Sequence, residues 1–134
     1  MTGARDTICA LASGPPPSAI AVLRVSGPAV GEIGAKLLAS GLPEPKRAAL
    51  THICDLDGAV VDHGIALHAR GPNSYTGEDT LELYLHGGPA VIAHALRALT
   101  ALPGVRLAEP GEFTRRALEN GVLDLTQVEG LSDL

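Results

Sequence analysis

The stretch GPNSYTGEDTLELYLHGGP, residues 71–89, decides the fold of this chain because it predicts a strand with turn signals on both sides. From Thr80 to His86 the residues alternate, with leucines on one face, as in a half-buried strand. The opposite face then carries Glu82, Tyr84 and His86, about 7 Å apart at the usual strand rise. This face is either the solvated outside of an antiparallel sheet or a wall that contacts a ligand.

The residues around this strand predict a loop before it and a helix after it. Pro72, Asn73 and Gly77 have the turn chemistry of a loop. Pro89 suits the first position of a helix whose apolar stripe ends before Pro103. The segment therefore forms one loop, strand and helix unit.

The rest of the chain predicts further strands and helices. Strands are expected at Thr7–Ala12, Ala19–Ser26, Leu50–Leu56, Val60–Ala69 and Val105–Ala108. A tight hairpin turn is expected at Asp57-Gly58. Helices are expected from Gly27 to about Ala39, from Pro110 to Asn120-Gly121, and from Leu123 to the last residue, Leu134, where the chain ends within the helical pattern.

Composition indicates a globular domain that is poorly suited to bind nucleic acid alone. The 134 residues are 46% apolar, which is enough for one core. The net charge is −5 and aromatic residues make up only 2%, without Trp, so basic patches and base-stacking platforms are scarce. The first ten residues contain no apolar run long enough for a signal peptide, and no stretch approaches the length of a bilayer span. Cys9 and Cys54 are isolated. We expect a cytoplasmic protein with buried free thiols.

Arg24 is the first candidate functional residue. It interrupts a strand face that it shares with Ile20 and Val22, and a desolvated guanidinium requires a partner. Glu82 is one candidate partner. A structural ion pair and a ligand contact both remain open at this point.

Other polar residues favour structural roles. Glu112 with Arg116, and Arg115 with Glu119, have the four-residue spacing of ordinary surface ion pairs. Histidines 52, 63 and 68 have spacings that suit no standard metal site. The sequence contains no GxxxxGK[ST], GxGxxG or GxSxG motif. Catalysis by this chain alone is therefore not expected.

Six blocks in fixed order resemble a known family. They are AVLRVSGPAV (21–30), DHGIAL (62–67), GPNSYTGEDTLEL (71–83), HGGP (86–89), PGEFTRRAL (110–118) and NGVLDLTQVEGLSDL (120–134). Together they look like the N-terminal domain of the MnmE/TrmE family of tRNA-modification GTPases, and the most specific part is GPNSYTGED followed by PGEFTRRA.

The resemblance implies an α+β fold, a mixed β-sheet with packed helices, similar to the folate-binding module of the glycine-cleavage aminomethyltransferase. It implies a folate-binding and dimerisation domain at residues 1–119, the start of a helical domain at 120–134, and a GTPase domain outside this chain. The implied folate contacts are Arg24 and Glu82, with no catalytic or metal-binding residue.

The resemblance also implies cofactors and partners. The one-carbon donor would be a reduced folate, 5-formyl- or 5,10-methylenetetrahydrofolate, and GTP, magnesium and potassium would bind only to the full-length protein. The implied partners are a second copy in a homodimer, an FAD-dependent protein, and tRNA held through other domains; no membrane is implied. The modification would be made at the wobble uridine of tRNA.

Two positions depart from the family pattern. Val122 stands where the family usually has a lysine, for which Arg115 or Arg116 are possible substitutes. The early loop, Gly14 to Ser18, contains three prolines, which remove backbone N–H donors. Two alternatives therefore stand beside the folate-binding domain: a dimerisation module that has lost folate binding, and a stand-alone one-carbon transferase using Asp79, Tyr84 or His86 as acid or base.

Overall fold

The computed structural model describes residues 5–124. In chain order its elements are β1 (Thr7–Leu11), β2 (Ser18–Ser26), α1 (Val30–Leu37), β3 (Ala49–Cys54), β4 (Val60–Ala69), β5 (Thr80–Gly87), α2 (Pro89–Thr100), β6 (Val105–Leu107) and α3 (Glu112–Glu119). Every strand and helix predicted within this range is present, with ends that differ by a few residues. The helix predicted from Leu123 lies almost wholly outside the described residues.

The strands form one mixed sheet in the order β3-β4-β5-β2-β1-β6. Neighbouring strands are antiparallel except β1 and β6, which are parallel. The predicted hairpin joins β3 to β4, and its turn is closed by a hydrogen bond from Gly58 N to Asp55 O. The chain thus has the α+β architecture with a mixed sheet that was expected.

The core lies between one face of this sheet and the helices α1 and α2. The alternate leucines of β5 are buried there, as predicted, since Leu81, Leu83 and Leu85 are at most 2% exposed. They pack with apolar residues of β2 and with one side of each helix, including Ile33 and Leu99. Pro89 occupies the start of α2, as its fixed φ favours.

The opposite, outer face of the sheet is covered only in part. Helix α3 and the loop of residues 71–79 lie over its β1 and β2 side, where Arg116 and Glu78 both contact Ser26. Arg24 belongs to this outer face, and 43% of its side chain is exposed. The desolvation cost expected from the sequence is correspondingly smaller than it would be in the core.

Two further sequence expectations concern thiols and membranes. Cys9 is buried, as predicted, and its burial raises its pKa to about 11. Cys54 is only half-buried, because it lies at the end of the edge strand β3. None of the helices in residues 5–124 has the length and apolar character that crossing a bilayer requires.

Candidate functional site

Arg24 and Glu82 form the centre of the candidate site. They are cross-strand neighbours on β2 and β5, and Arg24 Nε donates a 2.7 Å hydrogen bond to Glu82 Oε2. Glu82, one candidate partner of Arg24 on the sequence, is therefore its partner in the structure. Burial alone would lower the pKa of Arg24, but its hydrogen bond to Glu82 leaves that pKa raised on balance, so Arg24 is charged at neutral pH.

The second oxygen of Glu82 is held by the next outward residue of β5. Tyr84 Oη donates a 2.7 Å hydrogen bond to Glu82 Oε1, and this bond raises the pKa of Tyr84. Each carboxylate oxygen retains capacity for one more donor. Glu82 is thus held in place by two neighbours and can still accept hydrogen bonds from a ligand.

The few aromatic residues of the chain converge on this pair. The sequence has two Tyr, one Phe and no Trp, and all three lie here. The guanidinium carbon of Arg24 is 4.9 Å from the ring centroid of Tyr75, a cation–π distance. The Tyr75 and Phe113 ring centroids are 6.2 Å apart. Aromatic walls beside a charged pair are typical of pockets for planar, polar ligands.

Two cavities border Arg24. One, of about 260 Å³, is lined by Arg24, Tyr75, Phe113, Thr114, Ala117, Val122 and Leu123. The other, of about 390 Å³, shares Arg24, Phe113 and Thr114 and extends to the end of β1 and to residues 108–111. No hydrogen bond joins either terminal nitrogen of Arg24 to another residue between 5 and 124. These donors are therefore available to a ligand at the boundary of the two cavities.

The loop of residues 71–79 carries Tyr75 to Arg24 and is fastened directly after that tyrosine. Thr76 is fully buried, and its Oγ1 lies 2.7 Å from Ser26 Oγ. Glu78 receives a 3.0 Å hydrogen bond from Arg116 Nη1, and Asn120 Nδ2 donates to Thr76 O at 2.8 Å. The loop is thus bound to β2 and to the end of α3.

The prediction that α3 carries two ordinary surface ion pairs is wrong. Glu112 and Arg116 are 2% and 3% exposed, because this side of α3 faces the sheet. Glu112 accepts two hydrogen bonds from Arg106, at 2.9 and 2.6 Å, and lies 3.5 Å from Arg116. Its hydrogen bond from Arg106 lowers its pKa to about 2. Arg115 faces Glu112 rather than Glu119, whose partner is Arg5.

Two side chains proposed to replace the family lysine at position 122 do not line the cavities at Arg24. Arg116 is committed to Glu78 and Glu112, and Arg115 lines a separate groove of charged residues near the end of β6. Val122 itself lies in the wall of the smaller cavity. The end of that cavity formed by Val122 and Leu123 is therefore apolar.

The three candidates for acid or base catalysis do not converge. Asp79 Oδ1 accepts a hydrogen bond from Gly71 N and so closes the loop. Tyr84 donates to Glu82, and the His86 ring lies 2.9 Å from Asp62 on the exposed surface. These contacts give each residue a separate structural partner, which weakens the case for a stand-alone transferase.

The histidine predictions have a mixed outcome. His68 is 5% exposed and its Nδ1 lies 3.0 Å from Pro43 O, which confirms a structural role. His52 and His63 are exposed on neighbouring strands, and their rings touch. Within residues 5–124, no group of three or more metal-ligating side chains could hold an ion.

Comparison with known proteins places the whole described region in one family. A family model described as the GTP-binding protein TrmE N-terminus matches residues 7–122. The chain is 79% identical over 131 residues to the tRNA modification GTPase MnmE of Hyphomonas neptunium, covering 98% of this chain and 30% of that protein. It is 55% identical over 129 residues to MnmE of Dinoroseobacter shibae, covering 96% and 30%. With MnmE of Rhodopseudomonas palustris the identity is 56% over 129 residues, covering 96% and 28%. The chain therefore spans about 30% of the length of these relatives.

Proposed function

This chain belongs to the family of the TrmE N-terminus, the N-terminal domain of tRNA modification GTPases, and we propose that it binds a reduced folate between Arg24, Glu82 and the surrounding aromatic rings. The observation that carries the proposal is the gathering of every Tyr and Phe of an aromatic-poor chain around one charged pair. Such a gathering has no counterpart elsewhere in residues 5–124, since no other Tyr, Phe or Trp exists.

The chemistry of the site suits a pterin. A pterin presents a ring N–H beside an amino group, and a carboxylate such as Glu82 accepts both as charge-assisted hydrogen bonds. The terminal nitrogens of Arg24 supply donors for ligand oxygens in a rigid fork. Tyr75 and Phe113 provide flat apolar walls at the smaller cavity. The folate would supply the one-carbon unit, and these residues would bind and orient it.

A second copy of the chain is the partner that we propose for the exposed part of the outer sheet face. Ile20, Leu50 and Ile65 are 60%, 80% and 38% exposed there, and the strand register places Leu50, Ile65 and Tyr84 in one row across β3, β4 and β5. This row adjoins Glu82, so a homodimer formed through it would lie beside the proposed folate site. Its side chains carry no net charge that would repel an identical face.

The remaining activities belong, in this proposal, to the longer protein of which the family relatives are examples. A GTPase domain would bind GTP with magnesium and potassium, other domains would hold tRNA, and an FAD-dependent protein would act with the folate-bearing domain. The one-carbon unit would be transferred to the wobble uridine. This chain would serve in the cytoplasm as the domain that holds the one-carbon donor.

Calorimetric titration with 5-formyltetrahydrofolate tests the ligand. We expect saturable binding in the micromolar range or tighter, about −8 kcal/mol or better, and loss of binding in Glu82→Gln. The matched control is Glu32→Gln, which removes an exposed carboxylate paired with Lys36 on α1 and should bind like the parent. Circular dichroism of each variant verifies the fold. Equal affinity in Glu82→Gln and the parent would remove Glu82 from the site.

Sedimentation velocity tests the partner and separates the rival function. Leu50→Asp should convert the dimer to a monomer, whereas Leu107→Asp, an exposed leucine of the opposite edge strand, should leave the dimer intact. A folded dimer that does not bind folate would favour the alternative, a dimerisation module that has lost its ligand. A parent chain that is monomeric at all concentrations would contradict the dimer proposal.

A further inference from the structure

Two histidines form a contact pair on the outer face of the sheet, near its β3 edge. His52 of β3 and His63 of β4 are directly opposite each other in the strand register. Their ring centroids are 4.0 Å apart with an angle of 73° between the ring planes. Both side chains are exposed. The pairing arises from the hairpin, which brings together residues whose spacing along the chain suits no standard metal motif.

The backbone that carries the pair is fixed. Antiparallel pairing joins His52 and His63 directly. On the other side of β3, Ala39 N donates to His52 O at 3.0 Å and Ser40 N donates to Thr51 Oγ1 at 3.2 Å. These bonds hold the edge strand between β4 and the segment after α1. The backbone under the two imidazoles is therefore already ordered, and binding a ligand between the rings would not require it to become so.

We propose that His52 and His63 form a bis-imidazole site for a late first-row divalent cation. Neutral imidazole is a preferred ligand of zinc, nickel and copper(II) and a poor ligand of magnesium. Adjacent rings on neighbouring strands can turn about their side-chain bonds until one nitrogen of each faces a common ion. A cavity of about 310 Å³, lined by Ser40, Leu50, Thr51 and Gly64 together with the pair, adjoins the rings and has room for water ligands.

The composition of the pair sets the strength and pH dependence of the site. Since no third metal-ligating side chain joins the pair among the described residues, water must complete the coordination shell, and binding is weaker than at a structural zinc centre. The ligands must be unprotonated, so binding weakens in acid. The order of affinity should follow copper(II) above nickel and zinc, with magnesium inactive.

Titration of the untagged 134-residue chain with zinc chloride, followed by imidazole resonances in NMR, tests the proposal. Saturable shifts should appear on His52 and His63, and none with magnesium chloride. His52→Ala and His63→Ala should each weaken zinc binding by roughly tenfold or more, since loss of a ligand costs at least as much as loss of a supporting partner.

The control is His86→Ala, which removes an exposed histidine of the same face whose ring is already held by Asp62. It should bind zinc like the parent chain. All these positions are exposed, so folding of the variants is not at risk, and folate titration of the same samples reports separately on the Arg24 site. Absence of zinc shifts in the folded parent chain, or equal zinc affinity in the parent and His63→Ala, would overturn the proposal.

Discussion

Replacing Glu112 by Gln should destabilise the fold at neutral pH by a large and pH-dependent amount. The carboxylate is 3% exposed and accepts hydrogen bonds from Arg106, with Arg116 3.5 Å away. Gln has nearly the same shape but no charge, so it resembles the protonated form of Glu112. The substitution therefore removes one negative charge from a buried network. Arg106 then retains Asp6 as its partner, and Arg116 retains Glu78.

The magnitude follows from the pKa of Glu112. Its hydrogen bond from Arg106 lowers this pKa from an ordinary 4.5 to about 2 in the folded chain, a difference worth about 3 kcal/mol of stability when the group is ionised in both states. Because the folded pKa is depressed, the contribution is fully present above pH 4.5. It falls to about 1 kcal/mol at pH 3 and is lost as the pH falls through the folded pKa and below it.

Urea unfolding of the parent chain and Glu112→Gln at several pH values between 7 and 3 measures this difference. We expect the free energies of unfolding to differ by about 3 kcal/mol at pH 7 and to converge as the pH falls. Glu119→Gln serves as the control, since Glu119 is 48% exposed and pairs with the exposed Arg5, and it should cost less than about 1 kcal/mol at any pH. A Glu112→Gln variant that loses less than about 1 kcal/mol at pH 7, or whose deficit stays constant with pH, would refute the reasoning.

Three further predictions concern the packing of the sheet and the loop. Gly87→Ala should destabilise the chain by roughly 1–3 kcal/mol in urea unfolding, because its new Cβ would collide with the carbonyl oxygen of Ser18; an unchanged midpoint would show that the strands separate freely there. In native protein at pH 8, a disulfide reagent should modify Cys54 alone, since burial raises the pKa of Cys9 to about 11, and reaction of two thiols before unfolding would contradict this. Thr76→Val should cost roughly 1–3 kcal/mol in thermal unfolding, because it removes the hydroxyl that accepts from Glu78 N and one of the two partners of Ser26 Oγ; a variant as stable as the parent would mean that water replaces the hydroxyl.

The sheet and its core could be predicted from the sequence because their signals are local. The alternation of Leu81, Leu83 and Leu85 defines the buried face of β5 without reference to any other strand, and Asp57-Gly58 defines the hairpin. The pairing of Arg24 with Glu82 was accessible for a related reason: each is a charged residue on a strand that is otherwise apolar on at least one face, and such residues require partners.

The environment of α3 could not be predicted in this way. The spacing of Glu112 and Arg116 shows that they share a side of the helix, but not whether that side faces water or a sheet. The decisive partners, Arg106 and Glu78, are six and 38 positions away from their counterparts along the chain. A buried ion-pair network between separate elements produces no periodic pattern in the sequence. The spacing of these residues is therefore the same as that of an exposed, solvated helix surface.

The aromatic cluster at the candidate site is indicated in the sequence by the scarcity of aromatic residues, not by the positions that they occupy. Tyr75, Tyr84 and Phe113 occupy a loop, a strand and a helix, so no motif connects them. Their scarcity is nevertheless informative, because the aliphatic core is complete without them. Aromatic residues that a core does not need are candidates for contact with a ligand or partner.

The loop of residues 71–79 explains why stability and ligand binding should be coupled in this domain. Tyr75 reaches Arg24 only because Thr76 and Glu78 on its far side are bound to Ser26 and, through Arg116, to α3. The same helix contributes Phe113 to the cavity wall. A ligand that contacts both rings therefore depends on contacts that already hold α3 against the sheet. Its binding should raise the unfolding temperature by an amount that grows with the logarithm of the ligand concentration divided by Kd. Thr76→Val should accordingly weaken folate binding, although the hydroxyl of Thr76 contacts Ser26 and lines neither cavity. A destabilised Thr76→Val variant with unaltered folate affinity would show that the loop stabilises the fold without affecting ligand binding.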